Sequence, residues 1–285
     1  MKLNDVGVSG CTLTLVGNTT LRKTSPSVEY NTRLQKQSQK QKDFKTNISG
    51  ISTPLIISET YGELFSFDME YIDGKLFNET FHRISKYELD VYTNSILEYI
   101  QETKNKATDV YSTQQLQNII VSKLESLRTY SQYQTFIDFV SEITVSTVLP
   151  EIEQSICHGD LTFSNILFSN QKLYLLDFLD SYIESYVMDI VKLRQDLKYN
   201  WYLNLLPTET HYITRIQQIF SYMLNHVEQR FPIVNSTLFD ILDVVNFLRI
   251  EPYVTTKNQL SNLDRVIGET KLYEKFNSTN DGKVN

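Results

Sequence analysis

Chain-breaking residues are scarce in this 285-residue chain, which holds nine glycines and six prolines, and it has only two cysteines and one tryptophan. So few breakers argue against a loop-rich sandwich and favour long helices. Cys11 and Cys157 belong to no CxxC or Cys/His cluster, which argues against a disulfide framework and for a reducing compartment. No run of about 18 apolar residues exists, so no membrane span is expected. The first residues, MKLNDVGVSG, lack the apolar core of a signal peptide. The expectation is a soluble, cytoplasmic protein. Positive charge is also in deficit, with 27 Lys and Arg against 34 Asp and Glu and a formal net charge of −7. That balance argues against a nucleic-acid partner, which normally needs a basic face.

What the chain does have is aromatic and aliphatic bulk. It contains 18 Tyr and 15 Phe, and a 41% hydrophobic share lets it bury a sizeable core. Thr12 to Val16 and Thr19 to Lys23 alternate as two strands around a Gly17-Asn18 turn. Residues 28–44 are polar, basic and free of Gly and Pro, which predicts a mostly exposed helix started by Ser25-Pro26-Ser27. Thr53 to Ser58 and Leu64 to Ile72 read as strands, the second stopped by Asp73-Gly74. After Gly74 the texture becomes helical, over 86–104, 113–130 and 132–147, with Leu89, Tyr92, Ile96 and Tyr99 at helical spacing. Pro150 ends this stretch. A strand–loop–strand unit follows from about Ile156 to Phe178. Helices then resume from about 186 to 275, broken near Pro207, Pro232 and Pro252, and the polar tail after Phe276 is expected to fray. The order implies an α+β protein of two lobes, 1–72 and 73–285, with a cleft at the join near 70–74.

The chemistry concentrates in His158-Gly159-Asp160-Leu161-Thr162-Phe163-Ser164-Asn165, followed twelve residues later by Asp177 in Leu175-Leu176-Asp177-Phe178. A lone Asp-x-x-x-x-Asn is usually a turn or a cap. With His-Gly in front, a chance match in this length is on the order of one in a thousand at average residue usage. The flanking apolar runs supply the strand context. The residue types suit phosphoryl transfer. One carboxylate orients a hydroxyl and takes its proton, while an amide oxygen and a second carboxylate hold magnesium against nucleotide phosphates.

This segment resembles the catalytic loop and metal-binding segment of the aminoglycoside phosphotransferase and choline kinase group, within the protein-kinase-like fold. The resemblance implies a small β-rich N-lobe with one helix, a larger mainly helical C-lobe, and transfer of the γ-phosphate of ATP, with Mg2+, to a small-molecule hydroxyl. It makes Asp160 the catalytic base, Asn165 and Asp177 the magnesium ligands, and His158 a brace for the loop. Asp189 resembles a residue that supports the loop from below. Phe67 to Gly74 (FDMEYIDG) resembles the hinge whose backbone holds the adenine edge, near Glu70, Tyr71 and Ile72, with Met69 lining the pocket. Lys23, on what that fold counts as its third strand, would pair with the α- and β-phosphates, and Gly7 to Cys11, including Gly10, would form the covering turn. Arg22 is the neighbouring candidate, but successive strand residues face opposite sides.

The helix acid that normally fixes such a lysine is missing. Mid-helix stand Gln35, Lys36, Gln39 and Lys40, with Asp43 late, so Glu29 is the candidate partner and Gln39 a neutral substitute. Asp180 would line the acceptor site. Tyr199, Trp201 and Tyr202 would form either a cage for a quaternary amine or core packing, with core the commoner outcome. The acceptor is left open among a sugar, an amino sugar, a choline-like amino alcohol and an aminoglycoside. A protein Ser/Thr kinase is disfavoured, since Gly159 stands where such kinases have Arg, Leu179 stands where they have the Gly of Asp-Phe-Gly, and no Ala-Pro-Glu follows. A catalytically inactive kinase-like scaffold is the alternative from another class.

Overall fold

The computed structural model describes residues 10–205 and 212–281. In chain order its elements are β1 (Thr12–Val16), β2 (Thr20–Thr24), α1 (Asn31–Asp43), β3 (Ile51–Ser52), β4 (Ile56–Tyr61), β5 (Phe65–Glu70), β6 (Lys75–Leu76), α2 (Phe77–Thr80) and α3 (Lys86–Asn105). Then come β7 (Asp109–Tyr111), α4 (Thr113–Arg128), α5 (Gln134–Ser146), β8 (Ile152–Gln154), β9 (Ile166–Ser169) and β10 (Lys172–Leu175). Five helices close the chain: α6 (Tyr186–Leu197), α7 (Ile213–Arg230), α8 (Thr237–Leu248), α9 (Lys257–Gly268) and α10 (Lys271–Asp281).

Two compact units emerge. One gathers the chain up to Glu102 together with His158–Ser181; the other holds Thr103–Cys157 and the chain from Tyr182 onward. A division at 72–73 follows the change of sequence texture, whereas the contacts place the His158–Asp177 segment with the β-rich part. The reason is local pairing. Lys75 and Leu76 of β6 pair with Phe168 and Leu167 of β9, and Ile51 of β3 lies parallel to Leu173 of β10. Gly74 makes the first contact possible, because a Cβ there would sit 2.6 Å from the Phe168 carbonyl oxygen.

The first unit is built on a sheet of order β1-β2-β5-β4. Alternation puts Phe65, Phe67 and Met69 of β5 on one face, where they bury with Cys11 and Leu34 under Leu13, Leu21, Tyr30 and Ile56. Lys23 pairs with Phe67 and so shares that face, while Arg22 pairs with Asp68 on the other and forks onto its carboxylate at 2.7 and 2.9 Å. Strand β4 starts later than the 53–58 pattern suggests, since Pro54 cannot donate to a ladder. The strand bearing Lys23 is the second described one; Gly7 to Ser9 lie outside the described residues.

Helix α1 departs from the expectation of a mostly exposed helix. Leu34, Gln37, Ser38, Lys40 and Gln41 are buried. Ser38 donates to Glu59 (2.6 Å) and Gln41 to the Pro54 carbonyl (2.7 Å), so the buried face is largely polar and satisfied.

In the second unit α6, the most buried helix, packs against α7 and α8. At its centre Arg194 donates to Asp243 at 2.7 Å, and the Tyr199 hydroxyl donates to the same carboxylate at 2.8 Å. The Tyr199 ring meets Phe247 edge-on at 5.0 Å. Tyr199 is thus core, and an amine cage at 199–202 is not built. The tail does not fray at Phe276. Helix α10 runs to Asp281, anchored by Phe276 against Phe136 and Phe139 at 5.4 and 5.5 Å. The break at Pro207 lies outside the described residues. Among the described residues no helix is long and apolar enough to cross a membrane.

Candidate active site

The loop from His158 to Asn165 runs directly into a hairpin. Strands β9 and β10 pair antiparallel, with Ser169 opposite Lys172. The two turn residues, Asn170 and Gln171, both have positive φ, 49° and 63°, the pattern of a tight two-residue hairpin whose twist matches its strands. A 3-10 turn at Phe163–Asn165 leads into β9.

Two backbone bonds then clasp the segment around Asp177 to the loop. The Leu176 amide donates to the Asn165 carbonyl and the Leu179 amide to the His158 carbonyl, both at 2.9 Å. Asp177 stands between them in a left-handed conformation, φ 58°. Asp177 is thereby tied through the backbone to both ends of the loop that carries Asp160 and Asn165. The Asn165 amide nitrogen donates to the Asp160 carbonyl at 2.9 Å and to its carboxylate at 2.8 Å. Two acceptors on Nδ2 fix which way the amide faces and turn Oδ1 away from Asp160.

Lys23 joins this segment from the other end of the chain. Its ammonium donates to Asp177 Oδ1 at 2.8 Å and to Gln37 Oε1 at 3.3 Å. Burial pushes the Lys23 ammonium toward neutrality, but the adjacent Asp177 carboxylate outweighs this and its pKa ends raised. The helix partner of Lys23 is Gln37, not Glu29 or Gln39. Glu29 is exposed and is satisfied by Ser27, before the helix begins. Gln39 faces outward and donates to Asp43 at 3.0 Å. No apolar periodicity marks Gln37; the usable signal was its helical spacing from Leu34 and Gln41, which share its face.

His158 is fully buried, with its ring 4.4 Å from that of Phe178. Its Nδ1 accepts the Asp160 amide at 3.2 Å, which makes the imidazole neutral, and its ring packs on Phe178, so it braces both ends of the motif. Burial pushes its pKa down from 6.5 to about 4. The unfolded chain therefore binds a proton first as pH falls. The stability due to this group is complete above about pH 6.5 and is lost by about pH 4, roughly 3 kcal/mol in all. Urea midpoints across pH 7 to 4 should show that slope, and His158→Gln should flatten it. An equally steep slope in the variant would assign the acid sensitivity elsewhere.

The remaining predicted residues fall as follows. Gly10 has φ 74° and precedes the buried Cys11. Met69 is 7% exposed and belongs to the core cluster. The Glu70 amide donates to the Leu55 carbonyl and the Tyr71 amide to the Thr19 carbonyl, whereas the Ile72 amide makes no hydrogen bond among the described residues. Asp180 is half exposed and ion-paired with Lys36 at 3.1 Å. Asp189 is fully buried on α6, in the second unit. Among the described residues no group of three or more His, Cys, Asp and Glu side chains is arranged to hold a metal.

No protein-family model matches the sequence, and no curated protein matches it. Solved structures do. A gentamicin complex of the aminoglycoside phosphotransferase APH(2'')-IIa superposes with a TM-score of 0.54 at 16% identity, over 95% of this chain and 93% of that one. A glucosamine kinase with glucosamine, ADP and inorganic phosphate gives 0.53 at 11% identity, over 95% and 82%. A ternary complex of a thermostable mutant of the aminoglycoside phosphotransferase APH(4)-Ia with ADP and hygromycin B gives 0.56 at 9% identity, over 90% and 89%. The chain has the protein-kinase-like fold of these proteins, a small β-rich part and a larger helical one.

Proposed function

We propose that this chain is an ATP- and magnesium-dependent kinase that moves the γ-phosphate to a hydroxyl of a small molecule. The observation that carries the reading is the convergence of Lys23 and Asp177, 154 residues apart in sequence, at 2.8 Å, on a segment whose backbone is bonded to the loop of Asp160 and Asn165. A scaffold has no need of that arrangement. Asp160 takes the acceptor's proton as its oxygen attacks the γ-phosphorus, and ADP leaves. Lys23 turns its charge to the α- and β-phosphates. Asp177, with its side chain half exposed, and Asn165 Oδ1, turned away from Asp160, fit Mg2+, which prefers hard oxygen ligands. When bound, the metal neutralises charge developing on the transferred phosphoryl group. The Ile72 amide is the hinge donor for the purine edge, beside the apolar face of Leu13, Leu21 and Met69.

For the acceptor, the solved structures of this fold carry gentamicin, glucosamine and hygromycin B. That favours a sugar or amino sugar, or an aminoglycoside. A choline-like amine is disfavoured by the burial of Tyr199 in the core. ATP with Mg2+ should raise the melting temperature by several degrees, since ligand bound only to the native state stabilises it. A nucleotide-consumption screen over sugars, amino sugars, amino alcohols and aminoglycosides should then yield a turned-over acceptor. No shift with any purine nucleotide, and no consumption with any acceptor, would reject the kinase reading.

A further inference from the structure

Lys23 keeps unusual company for a buried ammonium. Its side chain is 5% exposed, and its hydrogen-bond partners are the Asp177 carboxylate at 2.8 Å and the neutral Gln37 amide at 3.3 Å. Gln37 is itself buried, and its Nε2 donates to the Tyr30 hydroxyl at 3.3 Å, which turns Oε1 toward Lys23. The other polar groups acting on the ammonium are Cys11 and Tyr30, neither of them a carboxylate. Helix α1 brings no negative charge to this place. What it offers the segment after Asp177 is positive: Lys36 pairs with Asp180 at 3.1 Å, and Lys40 donates to the Leu179 carbonyl at 2.7 Å. Among the described residues Asp177 is thus the one carboxylate named against Lys23.

We infer that Gln37 is the positioning residue for Lys23, and that its neutrality makes metal capture at Asp177 and phosphate capture at Lys23 depend on each other. The inference rests on the nucleotide-binding role proposed above and concerns how that site is loaded. A divalent cation alone would have to draw Asp177 off Lys23, leaving a buried ammonium with only an amide, which is strongly unfavourable. A nucleotide alone would leave Asp177 facing the incoming phosphates with its charge unmet once Lys23 turned away. Together, the phosphates replace Asp177 for Lys23 and the cation replaces Lys23 for Asp177. An acid at position 37 would give Lys23 a standing counter-charge and break this dependence.

The test starts without any ligand, as a melting cycle of four proteins: parent, Asp177→Asn, Gln37→Glu and the double variant. Both changes are nearly isosteric, and Asn tolerates the left-handed backbone at 177. Asp177→Asn should lower the parent's melting temperature by about 5 °C or more, because it strands a buried charge. In the Gln37→Glu background the drop should be at most half as large. Equal drops would overturn the positioning role of Gln37. The second measurement is Mn2+ binding without nucleotide, read by the loss of its free EPR signal. Gln37→Glu should bind at least tenfold tighter than the parent, while Gln37→Leu, which adds no charge, should show no gain. Equal affinity in parent and Gln37→Glu, or a matching gain in Gln37→Leu, would overturn the coupling. A parent that fails to bind ADP with Mg2+ would sink the kinase reading and the coupling with it, and the melting cycle would still decide whether Gln37 positions Lys23.

Discussion

Asp160→Asn should lower turnover by about a thousandfold while leaving the affinity for nucleotide within about threefold. The size follows from what the substitution removes. The Asp160 carboxylate accepts one hydrogen bond from Asn165 at 2.8 Å, and the Asp160 carbonyl accepts a second from the same nitrogen at 2.9 Å. An asparagine at 160 keeps both, because its own side-chain oxygen accepts where the carboxylate did. The loop, and the seat of Asp177 beside it, should therefore survive. What is lost is a group able to take a proton from an acceptor hydroxyl. If Asp160 merely braced the loop, the asparagine variant would be nearly silent. Steady-state rates with the acceptor found by screening, alongside ADP titration, separate the two. Turnover within tenfold of the parent would remove Asp160 from the role of base.

The parts of this site that were legible in the sequence are those whose chemistry needs neighbours along the chain. His158 to Asn165 form one loop, and the hairpin of β9 and β10 returns Asp177 to it within a dozen residues, so short-range pattern was enough. Lys23 was readable because strand alternation separates it from Arg22, and the register confirms that split by sending Arg22 to Asp68. The partner of Lys23 was not readable. Periodicity detects faces that are apolar, whereas the buried face of α1 carries Gln37, Ser38, Lys40 and Gln41, each met by a polar group from elsewhere. Such a face looks solvent-exposed until the sheet and the 177–180 segment are laid against it. An expectation of charge complementarity also pointed to Glu29, where the structure has an amide doing the work from inside the helix. Two-residue strands such as β3 and β6 lie below any periodic signal, yet they carry the pairing that ties β9 and β10 to the first unit. That is why a boundary drawn where the texture changes does not coincide with the grouping of contacts.

Gly159→Ala should be the most damaging single methyl in the first unit. Gly159 has φ 84°, and a Cβ placed there would lie 2.1 Å from the Leu179 carbonyl oxygen and 3.0 Å from its carbonyl carbon. Those are backbone atoms and cannot rotate aside. The same oxygen accepts Lys40 at 2.7 Å, and the Leu179 amide donates to His158 at 2.9 Å, so relief requires prying the 177–180 segment off the loop and breaking both bonds. The left-handed backbone costs about 1 to 2 kcal/mol for an alanine. Two strained or broken hydrogen bonds bring the total to about 4 kcal/mol, on the order of 10 °C in melting temperature. Gly17→Ala is the matched control. It has φ 64° and nothing within 4 Å of its added Cβ, so it carries the conformational cost without the clash. Any Gly159→Ala protein that does fold should hold Asp177 displaced from Asp160 and should have lost its metal-dependent nucleotide affinity, while Gly17→Ala keeps it. Equal melting losses in the two variants would mean that the loop and the Asp177 segment are not pressed together at Gly159. The tight approach that sets Asp177 beside Asn165 and Asp160 would then have to be sought in the hairpin alone.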